Sequence, residues 1–240
     1  MNLQEASDWM ARYYSQPDPD RLVAVVMAVA SAGMLKGQTD EPGLLGWAKR
    51  SVRTGNYMAG YGAVVDQPLI AFLTKVFVRN PERIASWLES LKDLGEAQQR
   101  SIWIAAWSSG VQGVDALLRA RAVATSQRAM QFVGALLRQR MHFIEDVPLA
   151  SAIVLDMQWA AFFATGDERF IVRVVEALGL VASPEGSPAF AVGTSALWSL
   201  RSNAKRHPKV LEVCREVLPE VKSDGMRMML ESIISDTCTA

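Results

Sequence analysis

Apolar residues recur along most of this chain at spacings of three and four. Leu69, Phe72, Leu73, Val76 and Phe77 form one such stripe, opened by Pro68. Ile84, Trp87, Leu88 and Leu91 form a second, and Phe170, Ile171, Val174, Val175 and Leu178 a third. Met226, Met229, Leu230, Ile233 and Ile234 form the last. This spacing places the apolar groups on one face of an α-helix. Proline suits a first helical position, where its missing N–H removes no hydrogen bond. No run alternates with period two, so strands are not expected. The pattern predicts helices over 2–16, 19–35, 42–53, 68–79, 81–92, 95–109, 111–123, 126–140, 148–164, 168–179, 188–205, 208–221 and 224–235. The expected fold is all-α, with about 11–13 helices packed as antiparallel hairpins because the connections are short. An irregular α-solenoid or α-α superhelix fits that description. Residues 1–240 are expected to form a single all-helical domain, with soft boundaries near 40–66 and 181–188.

Two segments are apolar all round. One is Ile102-Trp103-Ile104-Ala105-Ala106-Trp107; the other runs from Leu149 to Phe163, interrupted only by Ser151, Asp156 and Gln158. A helix without a polar face is covered on both sides, so these are expected to be the innermost elements. Asp156 then becomes a buried carboxylate, which is costly unless it is paired. It is expected to bond a helix end or an arginine, as buried polar groups do. The rival reading makes it an acid that lines a catalytic cleft with Trp159.

Four helix starts look alike: Asp18-Pro19-Asp20-Arg21-Leu22, Asn80-Pro81-Glu82-Arg83-Ile84, Gly166-Asp167-Glu168-Arg169-Phe170 and His207-Pro208-Lys209-Val210-Leu211. Asp18 and Asn80 are expected to cap with their side chains, with proline at the first position and an acid where the helix dipole favours it. The intervals are 81 − 19 = 62, 167 − 81 = 86 and 208 − 167 = 41 residues, which is no fixed period. The chain resembles a tetratricopeptide-type or other α-solenoid-like protein of divergent sequence. It lacks the Trp-Leu-Gly…Tyr pattern and the repeat spacing of a regular tetratricopeptide array. The stretches Leu155 to Phe170, with Trp159-Ala160-Ala161-Phe162-Phe163, and Phe77 to Leu88, with Asn80-Pro81-Glu82-Arg83, resemble segments of bacterial helical proteins of no settled function. That resemblance implies the fold class and nothing finer.

Charge narrows the partner class. Twenty-five Lys and Arg balance twenty-five Asp and Glu over 240 residues. A dedicated nucleic-acid binder usually carries a basic excess, so that class is disfavoured. No window holds eighteen apolar residues without a charge, so no membrane span is expected. The two cysteines, Cys214 and Cys238, are too few for a disulfide framework, and free thiols point to a reducing compartment. The start, Met1-Asn2-Leu3-Gln4-Glu5, has no signal-peptide character. A cytoplasmic location is expected, with the periplasm the alternative where a signal peptide has been removed.

Known chemistries find little support. There are two histidines, and His142 with Glu145 and Asp146 is short of the ligands a closed metal site needs. Cys214 falls on an apolar stripe with Val210, Leu211, Val217 and Leu218, seven residues after His207, with no third group to complete a nucleophilic arrangement. The segment from Gly55 to Gly62 is glycine-rich but lacks the strand and the Lys-Ser/Thr of a phosphate loop. No catalytic residue, cofactor site or metal site is assigned.

Recognition finds more. Tyr57 and Tyr61 lie in that glycine-rich segment and suit partner anchoring, since tyrosine buries much area at low entropy cost. From Ala116 to Phe143 the chain carries Arg119, Arg121, Arg128, Arg138 and Arg140 and no acid. Such a stretch is either a solvated helix face or a docking surface for an acidic partner, because guanidinium forks onto carboxylates. Arg201, Lys205, Arg206 and Lys209 form a second basic cluster. Met226, Met228 and Met229 suit core filling or an adaptable groove. The sequence therefore points to a non-enzymatic module that binds another protein, of the adaptor, chaperone or toxin-immunity kind. An enzyme with a cleft around Asp156 is the alternative, and a nucleic-acid binder a lesser one.

Overall fold

A computed structural model describes residues 1–35, 66–140 and 143–238, the last without its side chain. The described residues form twelve α-helices joined by short 3-10 turns, with no strand among them. The predicted helix over 42–53 lies outside the described residues, as does most of the expected boundary at 40–66. Two compact units share the chain: residues 1–146 with 163–165, and residues 147–162 with 166–240.

The first unit holds α1 (Leu3–Arg12), α2 (Leu22–Ser31), α3 (Gln67–Arg79), α4 (Ile84–Ser90), α5 (Glu96–Ser108), α6 (Val114–Thr125) and α7 (Gln127–Leu136). Chain neighbours α1 and α2 pack together, as do α6 and α7, while α3 packs on α5 across the intervening α4. Its core is aromatic. Trp9, Tyr13 and Phe72 meet edge to face at 4.8–5.7 Å between ring centroids, the geometry that ring quadrupoles favour. Phe77 stacks on Trp87 at 5.6 Å. Thr74 Oγ1 donates to Ile70 O at 2.7 Å and to Ala105 O at 3.3 Å, joining α3 to α5.

Of the segment expected to be enclosed, Ile102, Trp103, Ala105 and Ala106 of α5 are buried, while Ile104 and Trp107 are half-buried. Arg100 lies on the same helix and is only 6% exposed. It pairs with Glu96 one turn earlier, and its guanidinium sits 5.2 Å over the Phe132 ring of α7. Ser126, whose hydroxyl caps α7 at Ala129 N, donates to the other oxygen of Glu96. A buried charge is tolerated when it is paired and hydrogen-bonded in this way.

The second unit holds most of α8 (Ala152–Thr165), α9 (Arg169–Glu176), a 3-10 segment over Ala177–Ala182, α10 (Pro188–Arg206), α11 (Pro208–Val217) and α12 (Asp224–Cys238). The long α10 organises it, packing on the 3-10 segment, α11 and α12. The closest approach is at Gly193. A Cβ there would lie 2.4 Å from Val181 N and 2.7 Å from the carbonyl carbon of Leu180. Only glycine lets this backbone pair come so near. The segment 181–188 lies within this unit, running from the end of the 3-10 segment to the first residue of α10.

The helix-start motifs behave differently from the expectation. Pro19–Arg21 and Pro81–Arg83 are 3-10 turns, each leading into an α-helix at the following apolar residue, Leu22 or Ile84. Neither Asp18 nor Asn80 caps with its side chain. Asn80 Nδ2 instead donates back to Val76 O at 2.8 Å, closing the end of α3. The short side chain serves the helix behind it because the 3-10 turn ahead already starts with a residue lacking an N–H. The two motifs also meet: Arg83 of the second pairs with Asp20 of the first. In the third motif Asp167 accepts from the backbone and side chain of Arg169, and Gly166 ends α8 at a positive φ of 68°.

Candidate functional site

The arginine-rich stretch forms α6, α7 and the chain after them. Arg119, Arg128, Arg138 and Arg140 are exposed. Arg121 is half-buried and paired with Glu89 of α4. The absence of acid between 116 and 143 is therefore a property of the sequence and not of the surface. A helix distant in the chain supplies the acid that pairs with Arg121. Tyr57 and Tyr61 lie outside the described residues.

Two of the four residues of the second basic cluster are compensated. Arg201 donates to Ser232 Oγ at 2.9 Å and lies 3.6 Å from Asp236. Lys209 pairs with Glu168 and, at 3.1 Å, with Glu212, which pushes its pKa up to about 12. Lys205 and Arg206 stay exposed at the end of α10, where cations favour the carbonyl pole of the helix.

Glu145 is engaged by Lys75 at 2.5 Å, and His142 lies outside the described residues. Among the described residues no cluster of His, Cys, Asp or Glu is placed to hold a metal ion. Cys214 is fully buried, and burial drives its thiol up to about 11, the opposite of nucleophile activation. His207 is buried at the α10–α11 junction and its pKa is lowered, first by desolvation and then by Arg206. No described helix is long and apolar enough to cross a membrane. Met226 and Met229 are half-buried, while Met228 is exposed.

Asp156 is where the structure overturns the expectation. It is exposed, not sealed in the core. The α8 helix buries Val154, Leu155, Met157, Gln158, Trp159, Ala161 and Phe162, yet Ala152 and Asp156, one turn apart, remain open. Positions i and i+4 share a helix face, so cover on three sides leaves one narrow stripe in water. Asp156 and Ala152, with Leu155, line a concavity of about 350 Å³ completed by Thr194, Ser195, Trp198 and Ser199 of α10. Trp159, expected to share a cleft with Asp156, is buried instead.

Trp198 of that concavity was not singled out by its sequence context. It is 74% exposed, whereas Trp9, Trp87, Trp103 and Trp159 are all buried. The available signal was its surroundings on α10. Thr194, Ser195 and Ser202 flank it at helical spacing and Ser199 follows it directly, which marks the polar side of that helix. Asp156 is the one titratable group lining the concavity, and desolvation raises its pKa above the ordinary carboxylate range. Among the described residues no cation pairs with it. Among its described lining residues the carboxyl has only the hydroxyls of Thr194, Ser195 and Ser199 beside it, with no second acid or base to share general acid–base work. It can bind.

Compared with models of known families, with curated proteins and with solved structures, the chain matches none.

Proposed function

We propose that this chain is a non-enzymatic protein-binding module of bacterial type, an adaptor, chaperone or toxin-immunity protein acting in the cytoplasm. The tetratricopeptide-like, α-solenoid character of its sequence belongs to the same proposal. The observation that carries it is Trp198, 74% exposed on the polar side of α10 in a fold that buries the same residue type four times elsewhere. An exposed indole forgoes roughly 2–3 kcal/mol of burial. Tryptophan is among the residues most enriched where partners bury a central anchor. The exposed Arg119, Arg128, Arg138 and Arg140 supply a second, basic surface suited to acidic groups on a partner.

Purification of the tagged chain from its native lysate should return one stoichiometric protein. Trp198→Ala should release it, and charge reversal at Arg128, Arg138 and Arg140 should weaken it if the basic face contributes. Retention of the same partner by both variants would remove these two surfaces from the reading. One observation favours the alternative of an enzyme: the desolvated Asp156 carboxyl stands in a concavity. Turnover of a small molecule by the isolated chain, abolished in Asp156→Asn, would establish that alternative and displace the first.

A further inference from the structure

The side chains around Trp198 share a chemical bias. Thr194 Oγ1 donates its hydrogen to Phe190 O at 3.1 Å and to Ala191 O at 3.0 Å. Ser195 Oγ donates to Ala191 O at 2.8 Å, and Ser199 Oγ to Ala196 O at 3.0 Å. A hydroxyl has one hydrogen, so each of these three has spent its donor on its own helix. What they still offer a ligand is oxygen lone pairs. Asp156 adds a carboxylate that no described cation neutralises, and Trp198 adds the negative face of an indole. Ala152 and Leu155 contribute only apolar surface. The lining is thus three acceptors, an anion and a π-face, with the indole N–H as the one side-chain donor left. An anionic or acceptor-rich group finds almost nothing to bind. A cation bearing several N–H donors matches every element of it.

We propose that this concavity is the seat for a basic side chain of a partner protein, arginine in preference to lysine. The guanidinium lies over the Trp198 indole and donates to Asp156 and to the hydroxyl oxygens of Thr194, Ser195 and Ser199. Arginine is preferred because its flat fork stacks on an aromatic face and carries five donors, where an ammonium carries three. The raised pKa of Asp156 agrees with this: a desolvated carboxylate without a counter-ion gains more from an incoming cation than a fully hydrated one does. The proposal rests on the protein-binding reading and names the chemistry at one of its contact points.

The full chain labelled with 5-fluorotryptophan reports the site directly by fluorine NMR, with the Trp198 resonance assigned by its loss in Trp198→Phe. The probes are acetylated, amidated pentapeptides of alanine with a central arginine, lysine, citrulline or glutamate. Citrulline has the shape of arginine without its charge. The arginine peptide should shift the Trp198 signal saturably, the lysine peptide more weakly, and the glutamate peptide not at all. Citrulline should bind weaker by on the order of tenfold, the sum of a cation–π contact and one exposed ion pair. Asp156→Asn removes only the ion pair, so it should cut arginine affinity by a smaller factor, about two- to fivefold, and cut citrulline affinity less, with the other tryptophan signals unmoved as the check that the variant folds. Equal shifts from arginine and citrulline, or no saturable shift from arginine, would overturn the seat; because both arms use the wild-type chain, this holds even if the variant fails to fold. If the peptides fail while Trp198→Ala still releases a captured protein, the seat falls and the module stands. If arginine binds but no protein is ever captured, the module reading falls and takes the partner-protein source of the cation with it, leaving a guanidinium site.

Discussion

Helices α5 and α8 read alike as sequences, since each runs apolar on all sides, but the structure uses them differently. In α5 the cover is nearly complete: Trp103 is 2% exposed, and even Arg100 is taken inside with Glu96 as its counter-ion. In α8 the cover stops one stripe short, and Asp156 stays exposed in a concavity that it shares with the Trp198 indole of α10. The composition of a helix says how strongly it seeks burial. It does not say whether neighbours exist for every side. Where the last stripe is made of alanine and one acid, the loss from leaving it open is small, and a surface becomes available for recognition. Trp103 and Trp198 carry the same lesson, since one is a core filler and the other an open face.

Substitutions should separate these two uses. Trp103→Ala should cost about 3–5 kcal/mol, the range for removing a buried aromatic side chain, read as a lower midpoint in chemical denaturation. Gly193→Ala should cost about 1–3 kcal/mol, because the new Cβ meets backbone of the 3-10 segment rather than a side chain able to swing away. Trp198→Ala should change stability by no more than about 0.5 kcal/mol, as surface replacements do. A loss from Trp198→Ala comparable with that from Trp103→Ala would erase the contrast.

The smallest effects are in pH dependence, and their signs differ. The folded Asp156 holds its proton to higher pH than the unfolded chain does. Its contribution is therefore present at acid pH and lost as pH rises through the raised value. Asp156→Asn should be more stable than wild type at neutral pH, with the gap closing toward about pH 3. His207 is depressed, so the unfolded chain takes up its proton first as pH falls below its ordinary value. Stability is then full above about pH 6.5 and declines below it, and His207→Gln should flatten that slope. An Asp156→Asn variant less stable than wild type at pH 7 would mean the carboxylate already has a favourable partner within the fold.

The helices were legible because period 3.6 needs only apolar spacing, and α3, α9, α10, α11 and α12 open within two residues of the predicted starts. The caps were less so. Asp18 and Asn80 carry the right side chains, but the 3-10 turns that proline opens left them no N-cap role. Charge was read least well, since Arg121 finds Glu89 across 32 residues of sequence and a linear count cannot see that pairing. The apolar run around Asp156 predicts a burial that the fold does not give it, and no stripe or motif of the sequence points to Trp198. Both differences have one cause. Exposure is decided by which neighbours a helix meets, and those neighbours lie far away in sequence.

The aromatic cluster of the first unit joins Trp9 and Tyr13 to Phe72. Tyr13 thus waits for a ring 72 − 13 = 59 residues further along. A ribosome adding about 5–20 residues per second needs roughly 3–12 s to cover that interval. Phe72 leaves the ribosome that much later than Tyr13, and for that time Trp9 and Tyr13 lack the ring that completes their cluster, a natural moment for a holding chaperone to engage the nascent chain.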